Sequence, residues 1–401
     1  MLNKIRKDSG KLVFGFRSRV LVFVFRCYLL LLAIREYRNP WLAMMVLRRL
    51  VNLKRSLVGN TQSMKWLRSN GRYFWNVSSP GWPSKAFRAF ISHEMNRIVP
   101  LRKRQSQLQT LILSITSRCP LACKHCYEWK NLAGSECLSL LQLRQILDRF
   151  QRLGVSHVEL SGGEPLSRFD DLIVLLQGAG KGTDFWILTS GFELDYRKAR
   201  ALKKAGLTGA VISLDHFNET KHNEFRANPE SYSWVWKAVK NAQSVGLAVA
   251  LSLCATREFI NTENLEKYLK LAKDMGVWIV RILEPRAVGH FSECDIELGE
   301  EQFRILDEFY LKLTNDPDYR DFPILDFLAY YQRRTGCFGG DRYLYVDSKG
   351  EMHSCPFCQE SAGSALAESL DEILVSLRGK GCHKYPRARA KSILPDSCML
   401  T

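Results

Sequence analysis

Six short apolar runs, each separated from the next by a helix-length stretch, constrain this chain more than any other feature. They are Leu111–Thr116, His157–Leu160, Phe185–Thr189, Ala210–Leu214, Ala248–Leu253 and Trp278–Leu283. Near-continuous apolar runs of this kind are the mark of strands buried on both faces, as in parallel sheets. Between them lie helical patterns. Residues 138–153 place Leu143, Ile146, Leu147, Phe150 and Leu153 on one face, with Ser139 and Gln142 spaced as a capping box and Gly154 as the stop. Residues 264–275 repeat the design, with Leu265, Tyr268, Leu269 and Ala272 on one face and Gly276 after them. The alternation predicts a parallel α/β sheet, either doubly wound or curled into an incomplete barrel. In both, chemistry belongs at the carboxyl ends of the strands.

Charge divides the chain. Of its 401 residues, 1–105 hold 22 Lys and Arg against 3 acids, while 106–401 hold 36 against 38. Three regions follow: a basic helical N-terminal extension at 1–105, the strand–helix core at 106–300, and a cysteine-rich region at 301–401. The last opens with a helical stretch, Glu300–Leu313, and continues into a hairpin pattern, Tyr343–Val346 and Met352–Ser354 about a turn at Asp347–Gly350. The N-terminal excess charge comes with Leu, Val and Phe, not with the polar or aromatic-interleaved pattern of nucleic-acid binders, so nucleic acid is disfavoured. A membrane surface or an acidic partner fits it better, and so does simple docking of basic helices on the core. Residues 20–34 are apolar but broken by Arg26, lack a small-residue cleavage site, and fall short of the roughly 20 residues needed to span a bilayer. The expectation is a cytoplasmic protein, peripheral at a membrane if the basic segment is used that way.

Twelve cysteines in a chain of this length argue for metal binding in a reducing compartment, not for a disulfide scaffold. Three of them, Cys119, Cys123 and Cys126, share one short loop after the first strand, in the spacing C-x3-C-x2-C. Soft thiolates select zinc, copper(I) or iron–sulfur. Zinc in a structural site needs a fourth ligand, which His125 or a distant cysteine would have to supply. Three thiolates instead suit a [4Fe–4S] cluster with one iron open to a substrate or cofactor. Cys27, Cys137, Cys254 and Cys294 read as buried thiols.

The triplet, followed by Tyr127, together with Gly162-Gly163-Glu164-Pro165 at the end of the second strand, resembles the radical S-adenosylmethionine (SAM) enzymes over about residues 108–290. The resemblance implies a partial (β/α)6 TIM-like barrel of class α/β, with an α-helical N-terminal extension and a small cysteine-rich α+β C-terminal domain. It implies that Cys119, Cys123 and Cys126 hold three irons of a [4Fe–4S] cluster whose fourth iron binds SAM. Reductive cleavage would then give a 5′-deoxyadenosyl radical that removes hydrogen from substrate. Tyr127, Gly162, Gly163, Glu164, Ser213 and Asp215 are the implied cofactor-binding residues. The two glycines would let backbone approach the methionyl group, and Glu164 would set that region by hydrogen bonding. Thr189, Ser190, Ser252, Cys254 and Glu284 end other strands and are weaker candidates. The segment with His216, His222 and Arg226 resembles one in peptide-modifying relatives. It carries His216 in place of a glycine and Asn223 in place of an aspartate, which leaves the substrate class open.

Cys337, Gly350 and Cys355 stand as C-x12-G-x4-C, which resembles the opening of the SPASM or shorter twitch extension that carries auxiliary clusters. The later cysteine run of the full pattern is missing. One auxiliary [4Fe–4S] cluster is expected, on Cys337, Cys355 and Cys358, with Cys382 or Cys398 as fourth ligand. A zinc site or unligated thiols are the alternatives. The function implied is an enzyme acting on a peptide, small or membrane-associated molecule, with flavodoxin or ferredoxin as electron donor. The alternative is a non-catalytic iron–sulfur relay or redox sensor, which would need neither an open iron nor a SAM pocket.

Overall fold

All six runs are strands in the computed structural model, and every stretch between them carries at least one helix. The structure describes residues 10–58, 64–101, 108–132, 135–379, 382 and 384–386. The N-terminal part comprises β1 (Lys11–Val13), α1 (Gly15–Tyr37), α2 (Pro40–Val58), β2 (Trp66–Ser69), β3 (Arg72–Phe74) and α3 (Lys85–Ile98). The core runs β4 (Thr110–Ser114), α4 (Leu140–Arg152), β5 (His157–Ser161), α5 (Phe169–Gly178), β6 (Asp184–Thr189), α6 (Tyr196–Ala205) and β7 (Gly209–Ser213). It continues with α7 (Glu219–Arg226), α8 (Ser231–Ser244), β8 (Ala248–Cys254), α9 (Thr262–Asp274) and β9 (Ile279–Leu283). After it come α10 (Glu300–Asn315), β10 (Ile324–Asp326), α11 (Leu328–Thr335), β11 (Tyr343–Val346), β12 (Met352–His353) and α12 (Leu370–Gly379).

Strands β4 to β9 pair in sequence order and in parallel. Their alternate residues pack against the helices: Leu111, Val158, Phe185, Ala210, Val249 and Val280 share one buried cluster with Leu143, Ile146, Leu147 and Phe150 of α4. The capping box at Ser139 and Gln142 is present. Residues on both sides of position 300 share this sheet. β10 adds in parallel to β9, and β11 adds in parallel to β4, with the expected hairpin partner β12 antiparallel at the far edge. An unpaired edge strand exposes a row of N–H and C=O groups, and the late strands cover both edges of the six-strand core.

The N-terminal part closes the other end. β1, β2 and β3 form a small antiparallel sheet. Leu67, Phe74 and Val77 pack on the sheet face turned away from the helices, against Trp186, Val211, Ala248, Ala250 and Ile279. The carboxylate of Asp184, at the start of β6, accepts from Arg72 Nη1 at 2.7 Å and from Gly81 N at 2.9 Å. The amino ends of the strands are thereby plugged, and their carboxyl ends are left for the site.

The charged side chains on this face are paired. Arg281 Nη1 and Nη2 donate to the two oxygens of Glu159 at 3.1 and 2.6 Å, and Arg281 Nε donates to Asp326 at 3.2 Å. Burial works against the Glu159 charge, but Arg281 outweighs it and holds the carboxyl down to about 2. A depressed carboxylate lends stability that is complete above its ordinary range and lost as pH falls toward the depressed value. The stability difference between wild type and Glu159→Gln is therefore expected to be largest above about pH 4.5 and to shrink toward pH 2. Urea unfolding across that window checks it.

Candidate functional site

The loop after β4 carries Cys119, Cys123 and Cys126, and the loop after β5 is laced to its start. Gly163 N donates to Thr116 O at 2.8 Å, and Glu164 N donates to Arg118 O at 2.8 Å. The reason for two glycines is visible here. A Cβ on Gly162 would stand 2.6 Å from Thr116 O, and one on Gly163 would stand 2.4 Å from Arg118 O. Gly162 also has φ +150, which an L side chain resists. The Cβ side of both glycines is thus filled by the cysteine loop.

Glu164 is buried and accepts four hydrogen bonds. Thr189 Oγ1 donates to it at 2.7 Å, Ser190 Oγ at 2.6 Å, Ser190 N at 2.8 Å and Leu166 N at 3.1 Å. Burial raises its pKa, and these donors oppose the rise. The carboxylate ties the end of β6 to the Gly-Gly turn, so Thr189 and Ser190 act through it. Tyr127 is held through its hydroxyl, 3.2 Å from Ser161 Oγ. Its ring meets Tyr345 and Phe357 edge-on, at centroid distances of 5.8 and 6.1 Å.

Asp215 stands behind the cysteines. Its Oδ2 accepts from Arg226 Nε at 2.6 Å, and its Oδ1 accepts from Cys254 N at 3.0 Å. Arg226 Nη1 in turn lies 3.6 Å from Cys123 Sγ. His222 Nδ1 accepts from Asp215 N at 3.1 Å. Both Asp215 oxygens are engaged, so this residue positions Arg226 and the end of β8. Ser213, by contrast, is half-buried at the end of β7, with its Oγ 3.4 Å from Ser252 Oγ on β8.

Burial pushes the thiols of Cys119 and Cys126 up to about 12, and that of Cys123 in the same direction with Arg226 opposing. Iron binding here must therefore displace protons. His125, the alternative zinc ligand, is stacked on Phe225 at 4.8 Å, and burial lowers its pKa to about 4. Among the described residues, no three Cys, His, Asp or Glu side chains converge on the single point one metal ion would occupy. A four-iron cluster spreads its thiolates over the corners of a cube, and the donor set of three soft, loop-borne thiols fits that group.

Two supports of the cysteine loop carry no local sequence signal. His290 N donates to Cys126 O at 2.9 Å, and its Nδ1 lies 2.9 Å from Cys123 O. Its ring stacks on Trp129 at 3.9 Å. Gly289 has φ +60, and a Cβ there would lie 2.2 Å from Cys126 O. Glu284, which follows the last residue of β9, is buried and bonded to Arg333 and to Tyr385 Oη, the latter at 2.6 Å.

A second thiol group lies beyond Tyr127. Cys355 and Cys358 have their Sγ atoms 3.3 Å apart. Cys337 and Cys382 are hydrogen-bonded, so one thiol of that pair ionises below the usual range and the other above it. The pairs lie within electrostatic reach, Cys337 of Cys355 and Cys358 of Cys382. Cys382 is thus brought to the other three, while Cys398 lies outside the described residues. Cys254 is buried as expected. Cys27, Cys137 and Cys294 are exposed, contrary to the sequence reading, because each sits on a solvent-facing helix or loop position.

Fold and site fit an iron–sulfur enzyme with its chemistry at the carboxyl ends of a parallel sheet. The family model of the radical SAM superfamily matches residues 113–280. The GTP 3′,8-cyclase of Acidothermus cellulolyticus is 30% identical over 312 residues, covering 73% of this chain and 81% of that one. The PqqA peptide cyclase of Granulibacter bethesdensis is 25% identical over 301 residues, covering 72% and 78%. Among solved structures, Streptococcus suis SuiB bound to its precursor peptide SuiA has a TM-score of 0.57 at 15% identity, covering 71% of this chain and 70% of that one. The chain belongs to the radical SAM superfamily. It is an enzyme, and its cofactors are a [4Fe–4S] cluster and S-adenosylmethionine.

Proposed function

We propose that this enzyme uses SAM-derived radical chemistry on a peptide, with a second, fully protein-ligated [4Fe–4S] cluster. The reading is carried by the arrangement of the cysteines: three on the loop laced to Gly163 and Glu164, four more in two pairs across Tyr127 and Phe357. Bound to that loop, the first cluster and SAM would supply a 5′-deoxyadenosyl radical able to take hydrogen from substrate.

The chain's own residues have separable tasks in this reading. Cys119, Cys123 and Cys126 would hold the first cluster. Arg226, fixed by Asp215, places a positive charge against Cys123. Ser213 and Ser252 offer hydroxyls to SAM from adjacent strand ends, while Glu164 holds the Gly-Gly turn to β6. Tyr127 closes the space between the thiol groups and excludes water there. Cys337, Cys355, Cys358 and Cys382 would hold the second cluster.

The peptide substrate is supported by the likeness to a peptide cyclase. A cyclase named for GTP is the more similar of the two, at 30% against 25% identity, so sequence likeness alone does not choose a peptide. Residues 106–300 serve as the catalytic core in this reading, 301–401 as the cluster-bearing region and 1–105 as the plug. The electron donor would be a flavodoxin or ferredoxin.

Anaerobically reconstituted protein is expected to hold about eight irons, falling to about four in Cys382→Ala. It is expected to release 5′-deoxyadenosine with dithionite and SAM, and Cys123→Ala none. Four irons in both wild type and Cys382→Ala would remove the second cluster. Product from Cys123→Ala would remove the first assignment.

A further inference from the structure

Helix α1 is apolar on two sides. On one, Phe25 packs against Trp66, Trp75 and Trp82, and Leu32 and Ala33 meet Ala43 and Val46 of α2. On the other, Phe16, Val20, Phe23, Leu30 and Leu31 are exposed, Phe16 by 78%, Phe23 by 67% and Leu31 by 68%. At 100° per residue these five fall on one stripe, which explains why the helix lacks an ordinary polar face. The stripe is about 24 Å long at 1.5 Å per residue. Trp41, at the start of α2, is 78% exposed. A contiguous apolar surface of this extent marks an interaction site.

The charge around it names the occupant. Residues 10–58 hold ten Lys and Arg and a single acid, Glu36, which accepts from Ser92 at 3.0 Å. Arg17, Arg19, Arg26 and Arg35 are exposed along α1. An isologous contact with a second copy would set this like charge against itself. Long basic side chains beside apolar ones instead suit an anionic lipid surface, with the guanidinium groups reaching the headgroups. The arginines also forbid a crossing, and no helix among the described residues is long and apolar enough for one.

We infer that the exposed stripe of α1 lies in the surface of an anionic bilayer. α1 rests on Trp66 and Trp82 of the plug, at the amino ends of the strands, whereas the cysteine loop lies at the carboxyl ends. The bilayer would thus hold the enzyme from behind and leave the site free.

Sedimentation of the full reconstituted chain with vesicles tests this, using phosphatidylcholine alone and with phosphatidylglycerol. Wild type is expected to pellet with the anionic vesicles and to be released by salt. Phe23→Glu/Leu31→Glu, whose changes lie on the exposed side, should weaken binding on the order of tenfold or more while still releasing 5′-deoxyadenosine. Equal pelleting of variant and wild type would overturn the inference. So would no pelleting of wild type, no preference for anionic vesicles, or a stripe-dependent dimer in solution. Vesicle binding does not depend on the chemistry at the site, so either reading can fail alone.

Discussion

Gly163→Ala is expected to lose about four irons per chain and to lower 5′-deoxyadenosine release by roughly a hundredfold or more, with helix content retained. The added methyl would stand 2.4 Å from Arg118 O, 2.7 Å from Arg118 C and 3.0 Å from Cys119 Cβ. None of these atoms ends a flexible side chain, so the clash cannot be relieved by a rotamer change. The backbone must part, and the bonds from Gly163 N to Thr116 O and from Glu164 N to Arg118 O go with it. Cys119 then moves relative to Cys123 and Cys126, and a misplacement of about 1 Å in a preorganised site has large consequences. Iron analysis and circular dichroism on the same sample separate this from global unfolding. A variant with full iron and undiminished product would show that the Gly-Gly turn does not set the loop.

Asp215→Ala is expected to destabilise the chain by about 3–5 kcal/mol, the usual effect of removing one partner of a buried ion pair. Arg226 would be left buried beside Cys123 with no carboxylate, and Cys254 N would lose its acceptor. Asp215→Ala/Arg226→Met should recover much of the loss, because the uncompensated charge is then gone. The pH dependence has a defined sign. Burial opposes the Asp215 charge, but Arg226 overrides it and holds the carboxyl below its ordinary range. The pair's contribution is therefore complete above that range and lost as pH falls below it. Urea unfolding at neutral pH, with the double variant beside the single one, is the measurement. Additive losses in the double variant would show that the two residues are not coupled.

The six strands were legible because parallel strands bury both faces and so read as unbroken apolar runs. Every one lies where the runs placed it, within one or two residues. The helix at 140–152 was legible from its cap, since Ser139 and Gln142 satisfy backbone donors locally. The cysteine triplet and the Gly-Gly run were legible as short motifs, whereas the reason for the two glycines lies in Thr116 and Arg118 of the cysteine loop. The grouping of Cys337, Cys355 and Cys358 was partly legible, through a hairpin and a turn.

What sequence could not supply are the contacts between segments far apart in the chain. The tertiary structure alone brings His290 beneath Cys123 and Cys126, and it places Cys382, one of two candidates the sequence offered, beside Cys337. It brings Arg226 and Cys254 N to the two oxygens of Asp215, partners that lie 11 and 39 residues away in the chain. It also decides which apolar side of α1 is covered. The side bearing Phe25 meets tryptophans some 40–60 residues away, and the side bearing Phe23 is exposed among the described residues. Local sequence determines which segments form and what chemistry they carry, because propensity, capping and turn geometry act over a few residues. Which of those segments face one another is set by the closing of the sheet at both edges and by the plug at its amino end, and those are long-range contacts.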